Sequence, residues 1–201
     1  MTHRSSGARR APPVATLRRR ALDAARALLR TRGPDALHLR TIATEIGCGV
    51  ASLYYHFADK DALLAALAAE GFRDLNARIK RTMDSGRFPH KIDAASAAYL
   101  TFIQRNLQLY ALMYGERLLA GNEEARNAEQ EAFVTFQGAL TDDNRVPSDR
   151  IEEIALVCWV LGRGIASSMI AQGEVPAAEM QLRINKVLRG FVFLLSPSFV
   201  A

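Results

Sequence analysis

The sequence predicts an all-α protein of about nine helices, with a small N-terminal three-helix unit and a larger C-terminal helical unit. Three observations carry this. Apolar residues recur at three- and four-residue spacing in most windows, the period of an amphipathic helix. No stretch shows a convincing strand pattern. Short breaker clusters punctuate the chain at Gly33-Pro34, Gly47-Cys48-Gly49, Ser85-Gly86, Phe88-Pro89, Gly121 and Asp142-Asp143-Asn144. A length of 201 residues suits one or two domains, and no internal repeat is present.

Residues 1–14, with Ser-Ser-Gly and Pro-Pro, read as a disordered basic tail. The first helix is expected from Ala15 to Arg32, burying Leu17, Ala21, Ala24, Ala25, Leu28 and Leu29. Gly33 closes it and Pro34 bars its continuation. Leu39, Ile42, Ala43 and Ile46 give a second helix over 39–46. Gly47-Cys48-Gly49 breaks it, with two glycines free to take positive φ. A very short third helix spans 50–56, with Leu53 and Phe57 inward and Ser52, Tyr55 and His56 outward. Asp59 caps a fourth helix running to Asp84 through Leu63, Leu64, Leu67, Phe72, Leu75 and Ile79. Residues 91–106 and 107–119 form one helix or two. Helices over 122–141, 148–172 and 177–195 complete the chain.

Two short helices joined by a three-residue turn, the second bearing hydroxyls, an imidazole and small residues, have the layout of a major-groove reader. The residues Arg40-Thr41-Ile42-Ala43, Gly47, Leu53-Tyr54-Tyr55-His56-Phe57, Lys60 and Leu63-Leu64 stand at fixed spacing. Over roughly residues 15–82 this segment resembles the N-terminal domain of the TetR family of bacterial transcriptional regulators. The chain departs from the family's Val-Ser-x-Gly in having Cys48-Gly49-Val50-Ala51, so Gly49 replaces the usual serine cap. The resemblance implies a DNA-binding surface of Arg40, Thr41, Gly49, Val50, Ala51, Ser52, Tyr55, His56 and Lys60. Tyr55, His56 and Lys60 are expected at phosphates, and Arg40, Val50, Ala51 and Ser52 at base edges.

Charge is uneven. Residues 1–20 carry six arginines and no acid, residues 21–90 a net +2, and residues 91–201 a net −3. Positive charge beside the groove reader is where phosphate neutralisation needs it. The arginines of the tail and the Arg18-Arg19-Arg20 run are therefore expected to raise DNA affinity. Cys48 and Cys158 have no CxxC or histidine partner, so neither a metal nor a cofactor is expected, and free thiols suit the cytoplasm. None of the four histidines lies in residues 91–201, and no phosphate loop, HExxH or nucleophile elbow occurs, which speaks against an enzyme. Residues 154–171 are apolar, but Arg163 lies in the middle, favouring a buried helix of a soluble protein over a membrane span.

The helix over 148–172 is apolar nearly all round and must be covered all round. With the last helix (Met180, Ile184, Val187, Leu188, Phe191, Leu195) it is expected to form a four-helix homodimer interface. Tyr110-Ala111-Leu112-Met113-Tyr114-Gly115 and Trp159-Val160-Leu161-Gly162-Arg163-Gly164 resemble two segments of one TetR subgroup. Arg163 stands where that subgroup's Trp-x-x-x-His-Gly signature has histidine. The resemblance implies a ligand-binding and dimerisation domain over 91–201 and a repressor released from a palindromic operator by a small hydrophobic inducer. Tyr99, Phe102, Met113, Phe133, Phe136, Trp159 and Arg163 are the expected lining. Arg163 requires a partner, either a ligand carboxylate or, preferred, one of Glu116, Glu129 and Glu131. A purely architectural DNA binder without a ligand is the rival reading, and an enclosed apolar pocket would argue against it.

Overall fold

The computed structural model describes residues 16–115, 119, 121–172 and 176–194. The tail 1–14, Glu116 and Leu195 lie outside these residues, as do the side chains of Met180, Leu188 and Phe191. Helix α1 (Leu17–Arg32) opens on Thr16, whose hydroxyl accepts the Arg19 N–H at 3.3 Å, and closes on Gly33, whose N–H bonds the Leu29 carbonyl. A single 3-10 turn over Pro34–Ala36 leads into α2 (Leu39–Glu45) and α3 (Val50–Tyr54).

Helix α4 (Lys60–Asp84) starts on Asp59, whose carboxylate accepts the Ala62 N–H at 2.8 Å. Helices α5 (Lys91–Arg105) and α6 (Leu107–Met113) are separate, and Asn106 divides them. Its side-chain amide donates to the Phe102 carbonyl at 2.8 Å, while its own carbonyl receives the Tyr110 N–H at 2.7 Å. One residue thus ends α5 and begins α6.

Asn122 caps α7 (Glu123–Thr141) through the Ala125 N–H, and Glu123 and Glu124 sit where the helix dipole favours acids. Helices α8 (Ile151–Gln172) and α9 (Ala177–Leu194) follow a loop fastened by Asp143. Nine α-helices and two 3-10 turns, Pro34–Ala36 and Ser148–Arg150, are described, and no strand occurs among the described residues.

Helix α4 is the spine. It packs on α1, α5, α6 and α7, and one apolar cluster runs from Ala21 on α1 to Ile184 on α9. Ion pairs tie the same elements at the surface: Arg19–Glu70, Arg26–Asp74, Arg18–Glu124 and Arg73–Glu124. Exposed pairs of this kind each contribute little, so burial holds the layers together. Because α3 leads directly into the cap of α4, any shift of α4 is carried to α3.

Candidate functional site

The turn between α2 and α3 is built from its backbone. Gly47 has φ of +66°, its N–H bonds the Thr44 carbonyl at 3.2 Å, and the Cys48 N–H bonds the Ala43 carbonyl at 2.9 Å. This paired closure satisfies the last carbonyls of α2 and needs a residue that tolerates the left-handed conformation. Gly49, expected to share that freedom, instead has φ of −68° and ψ of 137°, an ordinary helix-entry geometry. The Arg20 guanidinium donates to the Ile46 carbonyl at 2.5 Å, bracing the same corner.

Helix α3 is five residues long, two fewer than its sequence suggests. The His56 and Phe57 N–H groups both bond the Leu53 carbonyl at 2.9 Å, which tightens the last turn and ends the helix. Leu53 and Phe57 are buried and anchor α3 to the core. The opposite side is open: Ala51, Ser52, Tyr55 and His56 are exposed, Tyr55 at 88 %. Arg40 and Gly49 are exposed too, while Thr41, Val50 and Lys60 are half-buried. A phenol held this far into solvent, edge-on to His56 at 5.4 Å between centroids, has no packing role of its own to explain it.

The run Arg18-Arg19-Arg20 also makes contacts within the fold. Arg18 lies 5.8 Å from the Phe57 ring centroid and pairs with Glu124, and Arg19 pairs with Asp23 and Glu70.

A second feature lies in the C-terminal layer. A cavity of about 140 Å³, partly open to solvent, sits between α5, α7, α8 and α9. Of the residues expected to line a pocket, Tyr99, Phe136 and Trp159 do so. Trp159 is the hub, its ring centroid 5.4 Å from Tyr99, 5.5 Å from Phe133 and 5.8 Å from Phe136. Phe133 stacks on Trp159 but is not part of the lining, and Phe102 is buried elsewhere in the core. Met113 is fully buried against Gly71 of α4, so it joins helices instead of walling the cavity.

Arg163 is exposed, with its guanidinium 4.4 Å from the Tyr114 ring centroid. The burial that would have demanded a carboxylate partner does not exist, and a π face meets the charge instead. The lining residues that sequence reasoning missed are Ser96, Leu100, Cys158, Leu161, Gly162, Ile165 and Ile184. Their signal was positional. Residues 96, 99 and 100 share one face of α5, and 158, 161, 162 and 165 share one face of α8.

The tyrosines beside the cavity are neutral. The Tyr99 and Tyr110 hydroxyls lie 2.5 Å apart, and burial pushes both phenols well above their usual range. Burial also pushes the Cys158 thiol up. Among the described residues no cluster of metal-ligating side chains occurs.

A three-helix reading unit joined through one long helix to a cavity-bearing bundle defines a helix-turn-helix regulatory protein. Residues 21–67 match the family described as bacterial regulatory proteins, tetR family. The HTH-type nicotine-responsive transcriptional repressor HdnoR of Paenarthrobacter nicotinovorans is 37 % identical over 67 residues, a match that spans 33 % of this chain and 34 % of that protein. A protein of unknown function from Rhodococcus sp. RHA1 superposes with a TM-score of 0.69 at 30 % identity, over 89 % of this chain and 96 % of that one. A TetR-family transcriptional regulator from Streptomyces coelicolor shares the fold, with a TM-score of 0.62 at 18 % identity over 88 % and 98 %. The chain belongs to the tetR family of bacterial regulatory proteins, and it is a regulator rather than an enzyme.

Proposed function

We propose that this protein is a cytoplasmic, ligand-responsive transcriptional repressor that binds a palindromic operator as a homodimer. Residues 15–84 act as the DNA-binding unit and 91–201 as the ligand-binding and dimerisation unit. The observation that carries the reading is the solvent-facing side of α3 and of the turn after it, which presents Ser52, Tyr55 and His56 while Leu53 and Phe57 are buried. The repressor named HdnoR, similar over 67 residues, supports the direction of control.

Dimerisation is supported by the outer layer. Leu156, Val157 and Val160 on α8 and Leu182 and Val187 on α9 are left exposed, an apolar face that a second copy would cover. Although the segment 148–171 is long and apolar enough to cross a membrane, α8 packs on α6 and α7 as part of this protein. A two-fold dimer places two α3 helices about 34–36 Å apart, one turn of DNA. A ligand that favours a different separation of the heads shifts the equilibrium away from the operator, and by linkage the operator weakens ligand binding by the same factor.

The test is selection of duplexes from a random pool, followed by anisotropy titrations of the recovered sequence. A palindromic motif is expected, with preference lost in Ser52→Ala and Tyr55→Ala variants that keep their helical content. Recovery of no common sequence would sink the reading.

A further inference from the structure

We propose that the cavity between α5, α7, α8 and α9 takes a small, uncharged molecule built on a single aromatic ring. The inference deepens the ligand-responsive reading above and rests on it.

Size comes first. The cavity holds about 140 Å³, and an apolar protein cavity of about 150 Å³ accommodates benzene. One ring with a small substituent fills it, and a fused polycycle or long acyl chain would have to extend through the open side. The floor is rigid as well as close. A Cβ built on Gly162 would lie 2.8 Å from the Tyr99 ring, so that ring is seated on the α8 backbone with no slack to retreat.

Charge comes second. Among the described residues, no Lys, Arg, His, Asp or Glu lines the cavity. Arg163, the cation nearest in sequence to its wall, is exposed and held over Tyr114. An ammonium entering here would lose its hydration and find no opposite charge, and a carboxylate would find only the Arg163 guanidinium, which acts on the Tyr99 phenol from outside the lining. Burial raises both the Tyr99 phenol and the Cys158 thiol, so the walls themselves resist ionisation.

Shape comes third. Tyr99, Phe136 and Trp159 present three aromatic side chains around the space, and rings gain from edge-to-face and offset contact beyond the area they bury. The Tyr99 hydroxyl is bonded to that of Tyr110, which leaves the Ser96 hydroxyl and the Cys158 thiol as the modest polar groups for a ring substituent.

The chain carries a single tryptophan, so emission from Trp159 reports on the cavity wall. The full-length protein is titrated with toluene, benzoate, cyclohexane and dodecanol, following Trp159 emission, melting temperature and NMR contacts between ligand and indole protons. Toluene is expected to bind saturably with contacts to Trp159, and benzoate to bind about tenfold or more weakly, because its charge finds no partner in the lining. Cyclohexane is expected to be weaker than toluene. Two filling variants on opposite walls, Cys158→Met and Ile184→Phe, are each expected to reduce toluene binding. The contacts to Trp159 in the unaltered protein locate the site even where a variant fails to fold.

Benzoate as tight as toluene would overturn the uncharged class, and dodecanol tighter than toluene would overturn the single ring. Saturable toluene binding without contact to Trp159 would overturn the site. Toluene bound at Trp159 with operator binding unchanged leaves this inference standing and overturns the switch. Operator binding with no toluene binding overturns this inference and leaves the DNA-binding reading intact.

Discussion

The helix-turn-helix and the outer pair of helices treat their apolar residues in opposite ways. In the first, Leu22, Leu29, Ile42, Leu53 and Phe57 are all sealed inside, though α2 and α3 together hold only twelve residues. In the second, α8 and α9 hold forty residues, yet leave Leu156 at 55 % and Val160 at 56 % exposed. A short helix has almost no stability of its own and must be fixed by every apolar contact available. A long apolar helix can stay helical while one face waits for cover. The difference separates a unit whose apolar anchors are sealed from a layer whose apolar face is left exposed.

The sharpest way to break the comparison is to remove one anchor from each side. Phe57→Ala should cost about 3–5 kcal/mol in urea or thermal unfolding, because a buried ring leaves a cavity under α3. DNA binding should fall with it. Val160→Glu should leave the unfolding of the isolated chain nearly unchanged, since surface substitutions are usually within about 0.5 kcal/mol. On the proposed homodimer reading it should instead weaken self-association by about a hundredfold or more in analytical ultracentrifugation, because an unpaired charge would enter the face that the second copy covers. A Phe57→Ala protein of normal stability, or an unchanged dimer in Val160→Glu, would erase the contrast.

A smaller effect is expected at the loop that leads into the outer pair of helices. The Asp143 carboxylate is buried, accepts three contacts from the Arg145 side chain at 2.5, 2.8 and 3.1 Å, and receives the Arg145 N–H at 3.0 Å. Arg145 reaches on to Asp93 of α5, at 3.6 Å. The hydrogen bonds from Arg145, set against the burial, hold the Asp143 carboxyl down at about 2, below its usual 3.8. A depressed carboxylate contributes stability above its unfolded value and loses it as pH falls through the folded one. Melting curves of the unaltered protein and Asp143→Asn should therefore differ at pH above about 4 and converge as pH approaches 2. A gap independent of pH would mean that Asp143 acts through shape alone.

Local rules made the first region legible. Gly47 as the turn residue, Leu53 and Phe57 as anchors, and Asp59 as the cap of α4 each follow from spacing within a few residues. The cavity was only partly legible because four helices contribute to it. Aromatic type selected Trp159, Tyr99 and Phe136, which line the cavity, but the same search for bulky apolar side chains also selected Met113 and Phe102, which face other neighbours. Ser96, Cys158 and Gly162 are ordinary by type and matter through the face they share. Arg163 misled because charge on an apolar helix implies a buried partner only when the face is known, and its face is the open one. The sequence left 91–119 open between one helix and two, since a side-chain bond to the Phe102 carbonyl, and neither glycine nor proline, makes the split at Asn106.

The finest test concerns two glycines in one turn. Gly47 has positive φ, where a Cβ is strained whatever space surrounds it. Gly47→Ala should cost about 1–2 kcal/mol. Gly49 has negative φ and extended helix-entry geometry, and a Cβ added there would meet no atom within 4 Å, so nothing opposes a side chain. Its helix opens without a side-chain cap. Gly49→Ser supplies an oxygen for the free N–H groups at the start of α3 and should stabilise the protein by a few tenths of a kcal/mol. Paired urea unfolding of the two variants reads the sign of each change. Equal losses at both positions would mean that the turn requires glycine twice and that the backbone angles at Gly49 mislead.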